Sequence, residues 1–154
     1  MTESNALAIR KSRPLADAKS GRNYCLWLLG RREYSRSELL TKLRRRELDE
    51  ATALAIVEQL AKEGLQSDQR CVEAIQRSAE SRGWSKQRIL QKLRAQGIET
   101  SLISSHELLD SDDENKRSEK LYKTWIAKTD GSPKAKRKVL SRIARRGFPI
   151  GHLF

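Results

Sequence analysis

The chain repeats itself at an interval of 50 residues. The segments "SRSELLTKLRRREL" (35–48), "SKQRILQKLRAQGI" (85–98) and "AKRKVLSRIARRGF" (135–148) align without a gap. A period of that length is the mark of stacked supersecondary modules rather than of one closed globule. Apolar positions coincide in all three copies: Leu39, Ile89 and Val139; Leu40, Leu90 and Leu140; Leu43, Leu93 and Ile143; and, at the close, Leu48, Ile98 and Phe148. Spacing of i, i+1, i+4 is one face of an α-helix, and such a face must be buried against other elements.

Local signals mark the ends of each repeated helix. Ser35 with Glu38 is a capping box, in which the hydroxyl takes the N3 amide and the carboxylate reaches back. Ser85 is the expected cap of the second copy, and Ser132 followed by Pro133 starts the third a little earlier. Gly97 and Gly147 stand where a left-handed residue stops a helix, a place that Glu47 takes in the first copy. Helical patterns flank every copy. Asp49 and Gly64 bound one helix, Gly83 ends another, Ser111-Asp112-Asp113-Glu114 offers a capping box for a third, and "ETSLISSHELL" reads as a shorter one. After the third copy only "PIGHLF" remains, so Ile150, Leu153 and Phe154 are all that could cap the last module.

The expected fold is therefore all-α, a tandem array of three-helix units that stack into an elongated body. Unit 1 covers 15–65, unit 2 covers 66–110, and unit 3, cut short, covers 111–154; residues 1–14 are expected to be mobile. Charged residues make up 34% of the chain against 5% aromatics, which agrees with exposed helices around a modest core. The longest apolar run is "CLWLL" (25–29), too short to span a bilayer, and no apolar leader opens the chain. The expected setting is the cytoplasm, where Cys25 and Cys71 act as small buried hydrophobes.

Net charge is +12, distributed in blocks: residues 24–48 carry +4, 49–70 carry −3, 71–98 carry +4, 99–114 carry −6 and 115–154 carry +10. A polyanion or an acidic protein surface is the expected partner. On the repeated helices the ridge opposite the apolar face reads Glu38, Lys42, Arg45; Arg88, Lys92, Ala95; and Lys138, Arg142, Arg145. With Arg46, Arg94, Lys134, Lys136 and Arg146 these cations form the candidate binding surface, densest between Lys134 and Arg146. For a single such residue solvation is an equally good explanation; for the C-terminal block, binding is favoured. Trp27, Trp84 and Trp125 are read as core packing rather than as a stacking platform for bases.

Catalytic constellations are missing. No phosphate-binding glycine loop and no nucleophile elbow occurs. "HELLD", from His106, places Asp110 where a second zinc ligand would stand, and the cluster Asp110, Asp112, Asp113, Glu114 reads as an acidic helix start. The chain is thus expected to bind rather than to catalyse, with no cofactor.

"RREYSRSELLTKL" (31–43) followed by "LAKEGLQSDQRCVEAIQRSAESRGWSKQRILQKLRAQGI" (60–98) resembles the RecX family, bacterial regulators of the recombinase RecA. The resemblance runs over roughly residues 20–148 and is most specific in the second unit. It implies a curved array that binds along the RecA–DNA filament and inhibits ATP hydrolysis, strand exchange and coprotease activity toward the SOS repressor. The implied partners are RecA and DNA, single-stranded and double-stranded, with no membrane and with the protein as a monomer. In the family the third unit usually closes with another helix, which this chain replaces by "GFPIGHLF". A stand-alone basic DNA-binding protein is the alternative, although three similar helices fit poorly with one privileged recognition helix.

Overall fold

The computed structural model describes residues 13–105 and 111–153, with only the backbone at 100, 104–105 and 111–113. The expected mobile N-terminus, the "HELL" part of the shorter helix, His106, Asp110 and Phe154 lie largely or wholly outside the described residues. Eight α-helices and no strand occur among the described residues: α1 (Ala18–Leu29), α2 (Arg36–Arg45), α3 (Glu50–Lys62), α4 (Asp68–Arg82), α5 (Lys86–Ala95), α6 (Thr100–Ser105), α7 (Ser111–Ile126) and α8 (Pro133–Arg145). A short 3₁₀ turn, Gly151–Leu153, follows. The fold is all-α and repetitive, and the three copies of the repeat are α2, α5 and α8.

The helix starts are chemical. Ser35 Oγ accepts from the Glu38 amide at 3.0 Å while Glu38 accepts from the Ser35 amide at 2.8 Å, completing the capping box. Asp49 takes the Thr52 amide at 3.0 Å, Ser85 the Arg88 amide at 3.1 Å, and Ser132 the Ala135 amide at 3.2 Å with Pro133 at N1. Each cap satisfies a donor that the helix itself cannot, worth about 1 kcal/mol. Glu114 departs from its expected use within α7. It is buried, and its carboxylate accepts the Lys86 amide at the start of α5.

Two compact units form. The first comprises the described residues up to Val72 together with Gln96–Ile98; the second comprises Glu73–Ala95 with Glu99 onward. In the first, Cys25 and Leu28 of α1, Leu39 and Leu43 of α2, and Val57 and Leu60 of α3 share one buried cluster, closed by Leu48. In the second, Val139, Ile143 and Phe148 are buried against Leu121, Tyr122, Trp125 and Ile126 of α7. Each fully buried Leu or Ile contributes about 1.5–3 kcal/mol. The repeat is legible in the burial itself: the columns beginning at Leu39, Leu43 and Leu48 are buried in all three copies, and the column beginning at Leu40 is half-buried in all three.

The tail does more than the sequence suggests. Ile150 and Leu153 both pack on the Val139 cluster. There the fully buried Ser118 of α7 donates to the Asn115 carbonyl at 2.8 Å and lies within hydrogen-bond distance, 2.9 Å, of His152 Nε2. The residues that follow α8 thus fold back on the α7–α8 pair.

The carbonyl that ends each repeated helix takes a long-range hydrogen bond. Gln96 O accepts from Ser35 Oγ, and Arg146 O accepts from the Ser85 amide at 3.0 Å. The start of one copy therefore seats on the end of the next. The following residue is Gly97 or Gly147, with φ of 69° and 90°. A Cβ on Gly97 would land on Ser37, and one on Gly147 would land on Ser85 and lie 2.9 Å from the Arg88 Cβ. Glycine is needed there for space as well as for conformation. In the first copy, Arg46 O accepts instead from the Leu15 amide at 3.0 Å, and the exposed Glu47 holds the left-handed backbone at φ 62°.

Candidate polyanion-binding surface

Twelve cations carry the sequence-based expectation, and the structure distributes them over both units. In the first, Arg45 is exposed and Lys42 half-buried on α2. In the second, Arg88, Lys92 and Arg94 are exposed on α5, and Lys134, Lys136, Lys138, Arg142 and Arg145 are exposed on α8. Arg46 and Arg146, at the same repeat position, are half-buried and have structural work. Arg46 lies 4.5 Å over the Tyr24 ring and donates through Nε to Arg13 O at 2.7 Å. Arg146 lies 4.8 Å over the Trp125 ring and donates through Nε to Arg82 O at 3.1 Å.

Ion pairing separates these cations from five arginines of the first unit. Arg22–Glu63, Arg32–Glu38, Arg36–Glu58, Arg44–Glu50 and Arg70–Glu33 are paired at 2.5–3.3 Å, all in the first unit. None of the twelve candidates has a carboxylate partner among the described residues. Glu50 and Glu63 have pKa values lowered chiefly by hydrogen bonds from Arg44 and Arg22, so those carboxylates are committed. The Arg146 pKa is lowered too, first by burial and then by Arg142 and Arg145 beside it, but for a cation this disfavours the charged form, as expected where like charges gather without compensation.

The aromatic residues correct the sequence reading. Trp27 is 57% exposed and is not core. The buried face of α1 is Gly21, Cys25 and Leu28, and Trp27 sits about 200° of helical turn from Cys25. It stacks on Tyr24 with ring centroids 6.3 Å apart and carries Arg31 over its ring at 4.8 Å. Trp84 and Trp125 are half-buried. Trp84 is flanked by Arg82 at 5.5 Å and Arg88 at 5.4 Å, and Trp125 by Arg142 at 4.0 Å and Arg146 at 4.8 Å. Cation–π contacts of this kind hold guanidinium groups in place without neutralising them. Sequence reasoning missed Trp125 and Lys128 as members of the basic surface. No spacing links them to Lys138 and Arg142; they meet only because α7 and α8 pack together.

Two clefts bring candidates together in the second unit. One, of about 400 Å³, has Arg88 and Arg145 on its walls; the other, of about 340 Å³, has Trp125, Lys128, Lys138 and Arg142. Among the described residues no group of three or more His, Cys, Asp or Glu could hold a metal ion, and no helix is long and apolar enough to cross a membrane.

Helical repetition, with a serine of one copy bonded to the closing carbonyl of the next, defines an all-α helical-repeat protein. Residues 22–60 match the family model described as RecX, first three-helix domain. The regulatory protein RecX of Acinetobacter baylyi is 32% identical over 129 residues, covering 84% of this chain and 80% of the relative. That of Mycobacterium sp. strain JLS is 33% identical over 133 residues, covering 81% and 73%. The crystal structure of RecX from Lactobacillus salivarius superposes with a TM-score of 0.68 at 20% identity, over 86% of this chain and 88% of that one, which supports the fold. The chain belongs to the RecX family of regulatory proteins.

Proposed function

We propose that this protein is a negative regulator of RecA, binding the RecA–DNA filament and inhibiting its ATP hydrolysis, strand exchange and SOS coprotease activity. The observation that carries the reading is the set of twelve cations, recurring along the three copies, that lack carboxylate partners among the described residues. Uncompensated cations on a repetitive body suit a long, regular, anionic partner, and each phosphate contact adds salt-sensitive affinity. Membership of a family whose curated relatives are named regulatory protein RecX supports the choice of RecA. In this reading the protein acts in the cytoplasm as a monomer of three modules, 15–65, 66–110 and 111–154, and has no catalytic role.

ATP hydrolysis by RecA on single-stranded DNA, with this protein titrated in at fixed salt, tests the proposal. The expected result is inhibition at concentrations well below those that shift naked DNA. Half-inhibition at fewer regulators than recombinase subunits indicates capping of filament ends rather than coating of the groove. An unaffected ATPase, with naked duplex bound as tightly as filament, would move the assignment to a stand-alone DNA-binding protein.

A further inference from the structure

We infer that the cleft between α7 and α8 is a binding site for the phosphates of a nucleic-acid strand, with Arg142, Lys138 and Lys128 as its cations and Trp125 as the residue that positions Arg142. The inference rests on the regulatory reading above and divides its labour: this face takes nucleic acid, whichever surface takes protein.

Three observations converge on the cleft. The first is register. Lys134, Lys138, Arg142 and Arg145 are all exposed and fall within about 80° of arc on α8, spread over roughly 16 Å of axis. A row of single charges at near-regular intervals matches a strand of regularly spaced phosphates, several of which lie within that length. The second is the state of Arg142. Its guanidinium carbon lies 4.0 Å over the Trp125 ring, and no carboxylate among the described residues pairs with it. A guanidinium held over a ring keeps its N–H donors available, and the fork can take a phosphate with two parallel hydrogen bonds. The third is enclosure. The cleft holds about 340 Å³ and is walled by Trp125, Lys128, Thr129, Lys138, Val139 and Arg142, so an anion entering it meets three cations and an aromatic wall without a carboxylate.

The paired cations of the first unit supply the internal control. Arg36 and Arg44 are also exposed arginines on a repeated helix, but each already holds a glutamate. Their charge is spent within the fold.

The test is the salt dependence of binding to a fluorescein-labelled oligothymidylate, measured by anisotropy with the full chain. Lys138→Gln with Arg142→Gln should lower affinity about tenfold at low salt. It should also reduce the slope of log K against log salt by about 1.4, two phosphate contacts on a single strand. Arg36→Gln with Arg44→Gln should leave the slope unchanged. Trp125→Phe, which keeps a ring in the apolar cluster, should weaken binding in the natural background and add nothing once Arg142 is glutamine. A full slope retained by the double variant would overturn the inference. So would loss of RecA ATPase inhibition with oligothymidylate binding intact; the cleft would then face protein and the regulatory reading would stand. A reduced slope with undiminished ATPase inhibition would keep the site and exclude it from regulation.

Discussion

The two units are built on the same apolar frame and differ in how much of their charge is paired. In the first, five arginines are paired with glutamates, the thiols of Cys25 and Cys71 are buried, and the repeated helix ends in Glu47. In the second, Arg82, Arg88, Arg142 and Arg146 lie over tryptophan rings, and the repeated helices carry cations without carboxylates among the described residues. Conserving the fold from copy to copy requires only the buried columns and the caps. What each copy offers to solvent is free to differ, and here the difference places the uncompensated charge toward the C-terminal modules.

The shared frame is the most damaging thing to break. Leu43→Ala and Ile143→Ala delete fully buried side chains at the same repeat position. Each should cost about 2–5 kcal/mol in urea unfolding followed by circular dichroism. A large loss from one and none from the other would mean that the two units do not share a frame. Next comes the junction: Gly147→Ala drives a Cβ onto Ser85 and forces a left-handed alanine, for an expected loss of about 1–3 kcal/mol.

Alkaline titration sharpens the comparison, because both cysteines lie in the first unit. Burial pushes Cys25 from 9.0 up to about 11 and Cys71 up to about 12, the latter with help from Asp68, Glu33 and Glu38. A raised thiol stabilises the fold while neutral, so the contribution is whole below pH 9 and fades as pH climbs toward 11. The loss should be on the order of 1 kcal/mol. Measured by the urea midpoint at pH 7 and pH 10.5, it should be largely abolished by Cys25→Val with Cys71→Val. The smallest effect is a gain. Glu47→Gly relieves a side chain at φ 62° and should stabilise by about 0.5–1 kcal/mol.

Much of the fold could be read from the residues because its determinants are local. Ser35 with Glu38, Asp49, Ser85 and Ser132 with Pro133 act within one helical turn, and the apolar columns declare a face by their spacing alone. The site was legible only as composition. That Lys134–Arg146 is basic is visible in the sequence; that Arg142 rests on Trp125 is not, since 17 residues and a turn separate them. Trp27 misled because it stands in an apolar run, "CLWLL", yet only Cys25 and Leu28 of that run are buried. Arg46 and Arg146 read as ordinary surface cations but are fastened to Arg13 O and Arg82 O. Glu114 read as the cap of its own helix and serves another, 28 residues earlier. In each case the deciding partner is distant in the chain.

One feature of the junctions reaches beyond stability. The seat between successive copies is made of a serine, a main-chain carbonyl and a glycine, none of which carries any distinguishing chemistry. A coupling so anonymous asks little of the exposed residues on either side, which are free to differ from copy to copy. Beside the third copy, Ile150 and Leu153 pack back on the Val139 cluster and leave that coupling as it is.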